Sequence, residues 1–260
     1  MTDLAQYKVA KESDVDFENH RDRIDVMLQH MMSLQDEGNR SLFQDWEERD
    51  LGWDTAILVE AAELIDHLAW KWWKAGSTDA AQAQMEVVDI WHFLLSQLIL
   101  QEPALLYRNK AEVPEGQMAE YFRARCTLRN MAVRIMRAPE TSSSIDTDKL
   151  IGSVKKFLSF VLSEAYLPVD TFYHFLPVIA KSGLTFDDLY FKYIGKNILN
   201  RFRWSNGYKE GSYVKDWLGQ EDNQYLMDLL SSTDKVGEEL QEYLELGLEL
   251  RYKEVILARG

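Results

Sequence analysis

The sequence predicts an all-α protein, a helical bundle in one domain over residues 1–260, and three observations carry that prediction. Nearly every long segment places its apolar residues at helical period. No segment alternates apolar and polar as a half-buried strand would. Five prolines and thirteen glycines are sparse punctuation for an all-β chain of 260 residues. At 46% hydrophobic content the chain also has enough apolar surface to build a real core.

The elements follow in order. A first helix is predicted from about Phe17 to Glu37, with Ile24, Met27, Leu28, Met31 and Leu34 as its apolar stripe. A short amphipathic piece spans Ser41 to Glu48. Asp54 is a plausible N-cap for a second helix that runs to Lys74 before Ala75-Gly76. Lys74 to Ala80 is a polar connection, and a third helix from Thr78 to Gln101 stops ahead of Pro103. After a polar loop, an arginine-rich helix runs from Gln117 to Arg137. The turn-formers from Ala138 to Asp148 make the clearest linker. Helices follow near Asp148–Ala165 and Pro168–Lys181, and another begins after Gly183 and Thr185. Ser205 to Asn223 is a glycine-rich charged loop, and the last thirty-odd residues are helical and acidic.

The second and third helices carry the chemistry. Glu60 with Glu63, and Glu86 with Asp89, are acidic pairs at i,i+3 spacing, so each pair shares one helix face. On the third helix Val87, Val88, Trp91, Leu94, Leu95, Leu98 and Ile99 cover most of the circumference. A helix apolar on most sides is expected to be buried, so its narrow stripe of Glu86, Asp89, His92 and Ser96 must face a partner rather than water. Four carboxylates converging inside a core require a counter-charge, and a divalent metal is the natural one. Asp89-x-x-His92 mimics a ligand motif of di-iron bundles. Those sites need a second Glu-x-x-His, and His20, His30, His67 and His174 follow Phe17, Met27, Leu64 and Thr171 at that spacing. An all-oxygen site instead suits Mg²⁺, which uses a few carboxylates, waters and substrate phosphates.

Two further patterns complement that site. Lys196, Asn200 and Arg203 fall at i, i+4 and i+7 on one helical stripe, with Tyr208 and Lys209 directly after it. In an acidic chain this is a local anion site with point-charge and forked donors. Gln35 and Asn39, at i,i+4, offer amide donors and acceptors that can read a nucleobase edge.

Bulk composition narrows the class. A net charge of -14 argues against general binding to nucleic acid or to an anionic membrane surface. The lone Cys126 excludes an internal disulfide framework and fits a reducing compartment. Residues 1–19 lack the apolar core of a signal peptide, and the run from Trp91 to Leu100 is too short to span a bilayer. A cytoplasmic protein is expected.

The blocks EAAELIDHLAWKWWK, MEVVDIWHF and YIGKNILNRFRWSNGYKEGSYVKDWLGQEDN, together with LQDEGN, resemble the dimeric dUTPase family. That family belongs to the all-α nucleotide pyrophosphohydrolases, which also include the MazG-like proteins. Residues from about 102 to 182 contribute little to the resemblance and read as an excursion within the bundle. The resemblance implies Mg²⁺-dependent hydrolysis of dUTP to dUMP and pyrophosphate, and of dUDP to dUMP and phosphate, by metal-activated water. Glu60, Glu63, Glu86 and Asp89 would hold two or three Mg²⁺ ions, with Glu60 or Glu63 as the base. Lys196, Asn200, Arg203, Tyr208 and Lys209 would grip the phosphates. Gln35 and Asn39 would contact the uracil edge, with Trp91 and His92 lining the nucleoside pocket. A homodimer closing around a deoxyuridine nucleotide is implied, with Trp70, Trp72 and Trp73 in a lid, a subunit interface or the core. The same chemistry on dCTP or dCDP stays open, because an amide can present either end to a base. A non-catalytic helical scaffold is the remaining alternative.

Overall fold

The computed structural model describes residues 17–138, 140–142, 144–163, 165 and 167–259, and of Phe17 the backbone alone. Most of the N-terminal segment read as lacking an apolar leader lies outside the described residues. The described residues form nine α-helices joined by turns and short 3₁₀ segments, with an isolated bridge between Asp216 and Glu221 in place of any strand. The all-α reading holds.

The chain divides into two compact units, one whose described part falls within 17–190 and a second whose described part is 191–259. The first contains α1 (Phe17–Leu42), α2 (Trp53–Asp66), α3 (Ala80–Gln101), α4 (Met118–Met136), α5 (Thr147–Val161) and α6 (Pro168–Lys181). Helix α7 (Phe186–Ser205) begins in it and continues into the second unit, which adds α8 (Asp222–Ser231) and α9 (Gly237–Leu257).

Helix α3 is the hub of the first unit, packed by α1, α2 and α6. Every apolar residue that its sequence placed around the circumference, from Val87 to Ile99, is buried. At its centre Trp91 is enclosed by Phe172, Phe175 and Phe186, stacking on Phe175 at 6.2 Å between centroids. The excursion over 102–182 supplies α4, α5 and α6, of which α4 packs on α1 and α6 on α3. In the second unit, α8 approaches two glycines closely. A Cβ on Gly195 of α7 would stand 2.9 Å from Leu230, and one on Gly247 of α9 would stand 2.9 Å from Leu229. Larger residues there would push α8 off its neighbours.

The bounds of α1 and α2 differ from the expectation. Helix α1 continues past Glu37 to Leu42, held by the i,i+4 pair Asp36–Arg40 at 2.9 Å. Helix α2 ends at Asp66 instead of Lys74, and its N-cap is Gly52, with φ 60°, instead of Asp54. The stop has a physical cause. The core-facing positions Ile57, Ala61, Leu64 and Leu68 are buried, but the chain turns back at Ala69, with φ 51°. The turn is pinned by Asp79 N–H donating to the His67 carbonyl at 2.9 Å and by Thr78 Oγ1 donating to that of Leu68 at 3.2 Å. Trp70, Trp72 and Trp73 therefore lie in a loop with exposed rings, Trp72 at 89%, and a core role for them is excluded.

Candidate active site

The acidic helices lie side by side, so the sequence brings its carboxylates together through the α2–α3 pairing. Asp79 caps α3 by accepting from Gln82 N–H at 3.1 Å, which sets where that helix starts and hence where Glu86 falls. One oxygen each from Glu60, Glu63 and Glu86 lies within 4.8 Å of the others. Glu86 is buried, Glu60 half-buried and Glu63 exposed, so the cluster grades from core to surface. His67 Nε2 stands 3.6 Å from Glu86 Oε1. Asp89, one turn further along α3, is half-buried.

This donor set fits a divalent cation. Three carboxylate oxygens within 4.8 Å of one another are close enough to be drawn onto one divalent ion. Beside Glu63 the surface opens into a hollow of about 480 Å³, lined by Val59, Ala62, Ile65, Asp66 and Trp70 as well.

A buried polar network joins α1 to α3 about one helical turn beyond the acidic stripe. Gln35 Nε2 donates to Asn39 Oδ1 at 3.1 Å and to Ser96 Oγ at 3.0 Å, and Asn39 Nδ2 donates to the same Oγ at 3.0 Å. His92 Nδ1 lies 2.9 Å from Gln35 Oε1. Ser96 gives its own proton to the His92 carbonyl at 3.2 Å. Thus Gln35, Asn39 and His92 are brought together. Trp91 is fully buried and turns its Nε1 to Met31 Sδ at 3.2 Å.

In the second unit the basic stripe is also assembled, around two residues the sequence reading did not single out. Arg203 forks onto Asp222, Nε to Oδ2 and Nη2 to Oδ1, both at 2.8 Å. Tyr213 donates to Asp222 Oδ2 at 2.8 Å. Lys196 Nζ and Arg203 Nη2 converge on Asn223 Oδ1, and Arg203 Nη1 reaches Asn200 Oδ1 at 3.2 Å. Tyr208 lies beneath the guanidinium at 5.8 Å, and Lys209 follows it on the exposed loop. Burial alone would raise the Asp222 pKa, but the Arg203 fork and the Tyr213 hydroxyl outweigh it and hold the carboxyl below its ordinary value. For Tyr213, burial and the adjacent carboxylate push the phenol up. The QEDN at the end of the loop was the available signal, and only the fold shows that its acid and amide turn back onto α7.

A family model described as dUTPase matches residues 27–208, well over half of the chain. The chain belongs to that family. As a dUTPase it hydrolyses dUTP. The matched span takes in all four carboxylates, both amides and the basic stripe through Tyr208, and it crosses the 102–182 stretch. The comparison with curated proteins gives no match. Among the described residues no helix is long and apolar enough to cross a membrane.

Proposed function

We propose that this dUTPase is a Mg²⁺-dependent cytoplasmic homodimer that converts dUTP to dUMP and pyrophosphate and dUDP to dUMP and phosphate. The observation that carries the reading is the convergence of Glu60, Glu63 and Glu86 within 4.8 Å. With Asp89 they form the metal-holding set. When bound, Mg²⁺ supplies charge stabilisation on the phosphate oxygens and lowers the pKa of the attacking water.

The remaining chemistry belongs to the chain. Glu60 or Glu63 takes a proton from the water as its oxygen bonds to the β-phosphorus. The bridge from that phosphorus to the α-phosphate oxygen breaks, and dUMP leaves with the electron pair. Glu63, exposed at the rim of the cluster, is the more accessible to water. Lys196, Asn200, Arg203, Tyr208 and Lys209 hold the phosphate chain and spread its developing charge. Arg203 is already held by Asp222, which fixes its direction while lowering its net field. Gln35 and Asn39 read the base, with His92 orienting Gln35 and the enclosed Trp91 backing the pocket. The exposed apolar face of Leu58, Val59, Trp70, Trp72 and Trp73 is the surface a second copy would cover.

The test is product release from dUTP, dUDP, dCTP and dTTP, each with Mg²⁺ and with EDTA, beside Glu63→Gln. Metal-dependent dUMP from dUTP and dUDP, lost in the variant, is expected. Equal turnover in EDTA, or in Glu63→Gln, would overturn the metal-site assignment. Preferential turnover of dCTP would overturn the base assignment alone.

A further inference from the structure

Resting on the reading of Gln35 and Asn39 as base contacts, we propose that Ser96 is the positioning residue that sets base selectivity. Its hydroxyl holds both carboxamides in one orientation, so that they serve a uracil edge and refuse a cytosine edge.

The argument begins with valence. A serine hydroxyl has one proton to give and two lone pairs with which to accept. Ser96 Oγ has three neighbours in the network. One, the His92 carbonyl, is an acceptor and nothing else, and it takes the proton. The two others are the carboxamides of Gln35 and Asn39, each 3.0 Å away, and both must then present N–H. Reversing either amide would set its oxygen against a hydroxyl lone pair in a site where Ser96 is fully buried. The remaining contacts agree with this orientation. Gln35 Nε2 meets the Asn39 oxygen, and the Gln35 oxygen meets His92 Nδ1, so the imidazole carries its proton there.

A locked amide reads differently from a rotating one. Among the described residues Asn39 uses one N–H on Ser96 and one lone pair on Gln35, which leaves it one donor and one acceptor in a fixed order. Uracil presents an acceptor at position 4 and a donor at position 3. Cytosine presents the reverse at both. With the base held in one place, an amide that rotates accommodates either base, whereas one that cannot rotate meets the wrong base donor against donor and acceptor against acceptor. Mismatched buried polar groups are the strongest source of discrimination between ligands of equal shape. Neither amide could enforce this alone.

The experiment measures kcat and KM for dUTP and dCTP in the wild-type enzyme, Ser96→Ala, Ser96→Thr, Gln35→Ala and Asn39→Ala, with circular dichroism of each. The expected result is that Ser96→Ala lowers the ratio of kcat/KM for dUTP over dCTP by about tenfold or more. The kcat for dUTP should fall less than this ratio does, and Ser96→Thr, which keeps the hydroxyl, should restore discrimination. A Ser96→Ala enzyme that is folded, or merely less stable, with an unchanged ratio would overturn the proposal. If Ser96→Ala does not fold, Ser96→Cys, close in size with a weaker acceptor, reads the same ratio. If Gln35→Ala and Asn39→Ala leave KM and ratio unaltered, the base site itself lies elsewhere and the underlying reading fails. If they shift the ratio while the Ser96 variants do not, the role of Ser96 alone is refuted.

Discussion

In the first unit Glu60, Glu63 and Glu86 crowd acid against acid within 4.8 Å; in the second, Asp222 sets its acid into the fork of Arg203 at 2.8 Å. Both clusters sit at helix junctions and both include a buried carboxylate, yet they are built to opposite ends. The Asp222 pair neutralises itself and makes loop and helix one piece. The glutamate cluster brings three carboxylates together at the edge of a hollow, an arrangement that a cation entering there would favour. On the proposed reading, the glutamates serve chiefly the reaction and Asp222 chiefly the fold, acting on the phosphate grip only through Arg203.

The largest expected effect is on turnover. Glu63→Gln and Asp89→Asn should each lower kcat for dUTP by about 10²–10⁴-fold, as measured by pyrophosphate release, with unchanged circular dichroism. Glu63→Gln should leave the metal-free stability within about 0.5 kcal/mol of wild type, since Glu63 is exposed. Next comes Asp222→Asn, which leaves the Arg203 guanidinium buried without its counter-charge. Urea denaturation should show a loss of about 3–5 kcal/mol.

The same variant has a pH signature. The Asp222 pKa is lower in the folded chain than its ordinary 3.8, so its contribution is complete above that value. That contribution is lost as pH falls below 3.8 through the folded value. The wild-type chain should therefore shed more stability than Asp222→Asn in that acid window, and equal slopes there would refute the pairing. A third contrast is metal response. At about 100-fold excess over its dissociation constant, Mg²⁺ should stabilise the wild-type chain by about 2.7 kcal/mol, reversibly with EDTA. It should act as strongly on Asp222→Asn and weakly on Glu63→Gln. The smallest effect concerns Trp72, whose ring is exposed. Trp72→Ala should alter the stability of the isolated chain by less than about 0.5 kcal/mol while weakening self-association in sedimentation.

Much of this was legible in the sequence because periodicity encodes burial. The apolar girdle of α3 and its one polar stripe could be read from Glu86 to Ile99 without coordinates. What hid from the sequence was whatever depends on chain reversal. WKWWK continues a helical pattern on paper, but Ala69 turns positive in φ and leaves the tryptophans in a loop. Asp222 and Asn223 lie about twenty residues from the stripe they complete, and no local pattern marks that return. Ser96 was visible in the polar stripe, yet its role depends on the direction of three hydrogen bonds.

Helix α3 carries the proposed metal ligands Glu86 and Asp89 and the proposed positioning residue Ser96 on one continuous rod. Each residue of an α-helix advances about 1.5 Å and turns about 100°. A single insertion between Asp89 and His92 would swing the carboxylates a quarter-turn away from the base-reading amides, whatever residue was inserted. On this reading the stretch from Glu86 to Ser96 tolerates a change of apolar residue more readily than a change of length.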